Sequence, residues 1–379
     1  MTEAEALIAL NTISGVGSSR LKKLLEAFGS ASRIFLAREY ALKKVDGIGD
    51  KISGEISGFH FENLKKELDL AKKLKVNIVT FQDKEYPGNL KSIYDPPLCL
   101  YLKGGLLESD TLSLAVVGSR RASFYGLSCA EKFSYALANL GITIVSGLAR
   151  GIDTQAHKGA LKAKGRTIAV LGSGLNCIYP SENKKLADDI ACSGAVISEF
   201  PLNARPLAQN FPRRNRVISG LSQGVMVVEA ARNSGALITA DFALEQGRDV
   251  FAIPGKVDSA TSFGTNQLIK QGAKLIDSIE DIIEELKPKL AEYIEKESGK
   301  TKIADTRKVA KERKSSIQLS EEEGLIYSLL DSSPRHADEL IEESGLSSAK
   351  VMAILLKLEM RKSVKQLPGK MYIREVCLA

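Results

Sequence analysis

Leu112-Ser113-Leu114-Ala115-Val116-Val117-Gly118-Ser119-Arg120 is a short apolar run that ends abruptly in glycine and a cation. The same design returns along the chain: GITIVSG at 141–147, TIAVLGSG at 167–174, AVISEF at 195–200, GVMVVEA at 224–230 and DVFAIPG at 249–255. Helical patterns separate these runs. Continuous Val, Ile and Leu rather than alternation with polar residues means strands buried on both faces, so the expected core is an α/β, Rossmann-like doubly wound parallel sheet covered by helices. In a parallel sheet all strand carboxyl ends lie along one edge. The turns at Gly118-Ser119-Arg120, Gly147 to Gly151 and Gly172 to Gly174 therefore converge on the crevice where such proteins bind ligands. Glycines let backbone N–H groups approach an anion, and Arg120 and Arg150 add charge, so Gly118, Gly147, Gly172 and Gly174 are candidate phosphate-cradling positions.

The type of phosphate ligand is narrowed by what is missing. Gly172-x-Gly174-x-x-Cys177 lacks the third glycine of the dinucleotide fingerprint, and no acid follows at the ribose-binding distance, so no NAD or FAD cofactor is expected. A Walker-type GxxxxGK[ST] is absent from the sequence, which argues against a P-loop motor or kinase.

Phe211-Pro212-Arg213-Arg214-Asn215-Arg216-Val217-Ile218-Ser219-Gly220 is the most informative segment. Pro212 suits a first helical turn, which would place three guanidinium groups at a helix amino terminus. The macrodipole disfavours cations there by a few tenths to about 1 kcal/mol each. An external polyanion would offset that cost, since the guanidinium fork matches phosphate oxygens and Phe211 can stack on an unpaired base. The competing reading is that one arginine, Arg216 for example, pairs internally with Glu199 or Glu229.

Outward from this core, the 379 residues carry 53 Lys and Arg against 46 Asp and Glu, a net charge of +7. No window approaches a membrane span, and the acidic start Met1-Thr-Glu-Ala-Glu does not resemble a signal peptide, so a cytoplasmic protein is expected. Five cysteines without a C-x-x-C pair, and three histidines, argue against a disulfide framework and a zinc site. The segment 287–316 holds ten cations and five acids with few large apolar residues, and reads as a charged linker. The expected domains are therefore 1–75, 76–286, the linker 287–316, and 317–379.

Leu10-x-x-Ile13-x-Gly15-Val16-Gly17 recurs 32 residues later as Leu42-x-x-Val45-x-Gly47-Ile48-Gly49. The repeat predicts two helix-turn-helix units similar to the helix-hairpin-helix (SAM-like) module, whose free N–H groups could hold a phosphate or whose glycines could simply permit a tight turn. At the other end, three helical patterns and a hairpin around Pro368-Gly369 read as a winged helix with net charge −2. DNA contact and protein contact both stay open for that domain.

The same segments offer catalytic candidates. Asp153 and His157 stand one helical turn apart and could form an acid–base pair, although Asp153 more simply caps a helix. Glu199 and Glu229 both follow strands and could act as paired carboxylates, with structural pairing the favoured use. No catalytic residue and no metal ligand is assigned.

The motifs VGSR at 117–120, SGLARGID at 146–153, GSGLNCIYP at 172–180, SEFP at 198–201, FPRRNRVISGLS at 211–222, SGALITA at 234–240, ALEQGRDVFAIPG at 243–255 and GTNQLIKQGA at 264–273 resemble the DprA/Smf family of DNA-processing proteins. The resemblance implies non-enzymatic binding and protection of single-stranded DNA and loading of RecA recombinase during natural transformation (competence) and homologous recombination, by a homodimer. It also implies a strand-binding groove lined by Ser119 and Arg120, by Phe211, Arg213, Arg214, Asn215 and Arg216, and, less directly, by Lys184 or its neighbour Lys185. Contact of the terminal domains with duplex DNA stays open. The alternative is a Rossmann-type enzyme that hydrolyses the glycosidic bond of nucleoside monophosphates, whose Pro-Gly-Gly-x-Gly-Thr loop survives here only as Gly264-Thr265.

Overall fold

The structure, a computed structural model, describes residues 1–286, 321–331, 334–360, 363–367 and 369–374. The expected linker 287–316 lies outside the described residues, as do Pro368 of the expected hairpin and the cations Arg361 and Lys362. The chain divides into two compact units, Met1–Glu295 and Lys296–Ala379.

In the first unit a nine-stranded sheet has the order β1-β2-β6-β5-β4-β3-β7-β8-β9. Its strands are β1 Asn77–Thr80, β2 Cys99–Gly104, β3 Ser113–Val117, β4 Thr143–Ser146, β5 Thr167–Val170, β6 Ala195–Ser198, β7 Gly224–Val227, β8 Asp249–Ala252 and β9 Lys274–Leu275. From β6 to β9 all neighbours are parallel, as the apolar runs predict. Alternate residues of each strand serve opposite faces. Val117, Val145, Val170, Val225 and Val227 pack on one side with Val217 and Ile218, while Leu114, Val116, Ile144, Met226 and Phe251 pack on the other with Leu137, Ile152 and Ala156. Both faces are dry, which is why the strands read as continuous hydrophobic runs. The sequence reading lacked the antiparallel pair β1–β2, which extends the sheet through a β2–β6 pairing that is also antiparallel.

The helices that cover the sheet include α8 Phe124–Asn139, α9 Ile152–Lys162, α10 Lys184–Ser193, α11 Asn210–Leu221, α12 Gly235–Glu245 and α13 Phe263–Lys270. Successive strands step from β3 through β4 and β5 to β6 in one direction and from β7 to β9 in the other, so the topological switch point lies between β3 and β7.

Six helices precede the strands and one more follows β1: α1 Glu3–Thr12, α2 Ser18–Phe28, α3 Ala31–Ile34, α4 Glu39–Leu42, α5 Asp50–Ser57, α6 Phe61–Leu74 and, after β1, α7 Gly88–Lys91. In each copy of the internal repeat a helix ends at Thr12 or Leu42, the chain turns through a glycine of positive φ, Gly15 or Gly47, and the next helix starts after Gly17 or Gly49. Leu10, Ile13, Val16, Leu42 and Ile48, repeat positions all, share one core. Contacts such as Asn11 Nδ2 to the Glu199 carbonyl (2.9 Å) and Leu202 N–H to Glu67 (2.7 Å) tie these helices to the sheet.

In the second unit, helices Glu321–Leu329, Ala337–Ser344 and Ser348–Met360 enclose Ile326, Leu340, Val351, Leu355 and Leu358. Strands Val364–Leu367 and Met371–Arg374 form the expected hairpin, joined by a strand that the sequence reading lacked, Arg335–His336. The result is a winged helix.

Candidate nucleic-acid interface

The switch point opens into a cleft of about 1080 Å³. On one side the chain leaves β3 through Gly118, Ser119 and Arg120. The Ser119 N–H donates to the Glu229 carbonyl (2.8 Å) and its own carbonyl accepts from the Ile152 N–H (3.2 Å), so the turn is held between the end of β7 and the start of α9. Gly118 is required by crowding, since a Cβ there would stand 2.6 Å from Ile152. Behind it the Glu229 carboxylate accepts from the Ser123 N–H (2.8 Å) and hydroxyl (2.5 Å), fixing the start of α8. Arg120 is exposed, with its guanidinium 5.0 Å from the centre of the Phe211 ring. Phe211 in turn lies 5.9 Å from Tyr179, so a cation and two aromatic faces meet at the mouth.

Segment 211–216 opens α11, but its three arginines have separate fates. Arg214 is buried and donates to the carbonyls of Gly147 (2.5 Å) and Val170 (2.7 Å), tying together the ends of β4 and β5 at the cleft floor. Burial brings its pKa down to about 10 against the pull of Asp153, which leaves it charged at neutral pH. Arg216 is buried away from the cleft, held by Glu199 (2.5 Å) and by Asp95. Only Arg213 projects, with 59% of its side chain exposed, beside Glu199 (3.4 Å) and 5.1 Å from the Phe200 ring centre; it follows the cleft residues Phe211 and Pro212 in the chain but lines neither the cleft nor the recess itself. The expectation of three guanidiniums offered to an outside polyanion is thus corrected to one. Internal carbonyls and Glu199 answer the other two. Asn215 is buried and donates to the Gly235 carbonyl (3.1 Å).

The expected phosphate-cradling glycines also divide. Gly172 admits the Phe211 ring, which a Cβ would meet at 2.9 Å, and Gly174 packs against the carbonyls of Pro201 and Leu202. Both are buried and serve protein contacts rather than an open anion site. Gly147 makes room for Arg214 and touches a small recess shared with Arg120, Arg150, Tyr179 and Phe211. Arg150 holds Glu182 through two bonds of 2.6 and 2.7 Å. Lys184 and Lys185 are exposed at the start of α10 and line neither the cleft nor the recess.

Asp153 lines the cleft, and burial raises its carboxyl pKa against the opposing pull of Arg214. It does not cap α9, which starts after Gly151. It accepts instead from the Ala149 N–H (3.3 Å) and steadies the turn. His157 is buried, with Nδ1 on the Thr167 hydroxyl (2.7 Å), and is no partner of Asp153. Glu199 and Glu229 have separate partners and neither lines the cleft. The second wall went unassigned in the sequence reading: Arg232 lies 4.4 Å from the Phe263 ring centre, and Ser234 caps α12. Part of this wall is the SGALITA segment at 234–240, which the sequence marks as a motif without a binding role, since its small and apolar residues carry no charge. Among the described residues no helix is long and apolar enough to cross a membrane.

A model of the family described as DNA recombination-mediator protein A matches residues 77–287, and one described as DprA winged helix domain matches 310–370. Protein Smf of Synechocystis is 35% identical over 97% of this chain and 98% of its own length. Protein Smf of Escherichia coli is 54% identical over 53% of this chain, a match that spans about half (54%) of that relative. Of solved structures, DNA processing protein A from Streptococcus pneumoniae superposes with a TM-score of 0.66 at 39% identity, covering 75% of this chain and 98% of that one. DNA processing protein A from Helicobacter pylori, described for its single-stranded DNA binding mode, gives 0.51 at 30% identity, covering 57% and 97%.

Proposed function

The chain belongs to the DprA/Smf family of DNA recombination mediators, and from that premise we propose that it binds single-stranded DNA without reading sequence, protects it and helps to load RecA recombinase onto it. The observation that carries the reading is the mouth of the switch-point cleft. Arg120 makes no ion pair among the described residues and stands over Phe211, with Tyr179 beside it, a cation next to stacking surfaces. A sugar-phosphate backbone supplies the anion and an unpaired base supplies the flat face, whereas duplex bases are already stacked. The role is that of a binding protein rather than an enzyme. Glu229 accepts from Ser123 and Glu199 Oε2 holds Arg216, and neither carboxylate lines the cleft in which a nucleotide would sit. A homodimer would place two such grooves on one strand and gain affinity through avidity.

The test is binding of fluorescent oligothymidylate, single-stranded and duplex, across a salt series with intact protein and Arg120→Ala. The expected result is single-strand preference, affinity that falls steeply with salt, and at least a tenfold loss in the variant. Binding that is independent of length and salt, or untouched in Arg120→Ala, would overturn the reading.

A further inference from the structure

The two copies of the amino-terminal repeat differ in what meets them. At the second, a Cβ on Gly49 would meet nothing within 4 Å, and Asp50 at the start of α5 pairs with Lys43. At the first, the carboxylate of Asp95 is seated at the amino end of α2: the Ser18 hydroxyl donates to Asp95 Oδ1, and a Cβ on Gly17 would lie 3.7 Å from the same oxygen. An anion of the chain itself, held by the Ser18 hydroxyl, thus stands at the end of the hairpin where a phosphate would approach. The hairpin is also braced, since Arg20 donates to the carbonyls of Gly15 (2.6 Å) and Gly47 (2.9 Å).

Asp95 does not stop there. Its carbonyl accepts from Arg216 Nη1, and its second carboxylate oxygen lies 3.4 Å from Arg216 Nε. Arg216 holds Glu199 Oε2 at 2.5 Å, and the same oxygen lies 3.4 Å from Arg213, the projecting cation of α11. We infer that the first hairpin is an internal socket for Asp95, and that Ser18 and Asp95 are positioning residues which, through Arg216 and Glu199, set where Arg213 presents its charge to the DNA strand. The inference rests on the single-strand-binding reading above. It assigns the first helix pair a part in DNA binding without any contact with DNA.

The chain of contacts is linear, so its effect should pass through one cation. Binding of fluorescent oligothymidylate is measured across a salt series for the intact protein, Asp95→Asn, Ser18→Ala/Asp95→Asn, Arg213→Ala, the three substitutions combined, and Arg120→Ala. Asp95→Asn is nearly isosteric and keeps an acceptor for Ser18, which guards against a variant that fails to fold; thermal unfolding checks each protein. The expected result is a several-fold loss of affinity in Asp95→Asn and in the double variant. The salt slope should fall by about 0.7, the share of one phosphate contact on a single strand. No further change is expected when the double variant is combined with Arg213→Ala. A slope and affinity unchanged by Asp95→Asn and the double variant, or losses that add fully to that of Arg213→Ala, overturn the inference while a collapse in Arg120→Ala leaves the groove intact. Binding indifferent to Arg120→Ala as well would remove the groove and the inference together.

Discussion

A Cβ at Gly147 would stand 2.0 Å from Arg214 Nη1, inside the space of a buried guanidinium that holds two strand-end carbonyls. Gly147→Ala must therefore push the guanidinium off the two carbonyls it holds, and overpacking alone typically costs 1–3 kcal/mol. We expect a loss of about 2 kcal/mol or more, read from the denaturation midpoint, together with weaker DNA binding because the cleft floor moves. An unchanged midpoint would show that Arg214 is not the reason for this glycine. The position was legible in the sequence as a strand-end glycine, but its reason was not. A glycine at the end of a parallel strand is compatible with an approaching anion or an approaching side chain, and the side chain here comes from 67 residues away. Gly172 and Phe211 repeat the lesson, as does Arg216, whose partner Glu199 was only one of two acids that the sequence offered.

Elements were easier to read than their contacts. The core strands β3 to β8 are visible as apolar runs because each is buried on both faces; β1, at the antiparallel edge, is only partly buried and carries little of that signal, whereas β2 is as deeply buried as the core strands but stands outside the series of strands separated by helical patterns. The amino-terminal repeat was visible because both copies need the same turn, with Gly15 and Gly47 at φ near 88° and 83°. Helix α8 shows what pattern reading leaves out. Its cap Ser123 is recognisable, but the acid that receives the Ser123 N–H and hydroxyl is Glu229, at the far side of the switch point. Glu229 also sits against Gly126, where a Cβ would come within 2.5 Å of its carboxyl carbon. Glu229→Ala leaves the part-buried N–H and hydroxyl of Ser123 without their acceptor and should destabilise the first unit by about 1–2 kcal/mol. Hydrogen exchange should show the first turn of α8 and the neighbouring Ser119 turn opening together. Equal protection in the variant would sever the link between the two turns.

At the scale of the molecule, the first unit buries charge of both signs, and their effects on stability oppose each other with pH. Burial raises the carboxyl pKa of Asp153 and Glu199, so the folded state takes those protons before the unfolded chain does, and this contribution favours folding as the solution is acidified. His157 works in the other direction. Burial first, and then the charge of Arg214, pull it from 6.5 down to about 3, with Thr167 the polar group on its Nδ1 and no described partner on Nε2. Between these two values the unfolded chain binds a proton that the folded protein refuses. The stability kept by a neutral His157 is therefore complete above pH 6.5 and lost as pH falls towards about 3, with a total on the order of 5 kcal/mol. The carboxyls and the histidine overlap in the intact protein, so the effect is isolated as a difference. His157→Asn removes the titrating ring and keeps a polar atom near Thr167. Urea unfolding of the two proteins at pH 7.5, 6, 5 and 4 should show the advantage of the intact protein shrinking at each step below 6.5, by close to one proton's worth of slope. A constant gap would mean that the buried imidazole titrates alike in the folded and unfolded chain, against its burial beside Arg214.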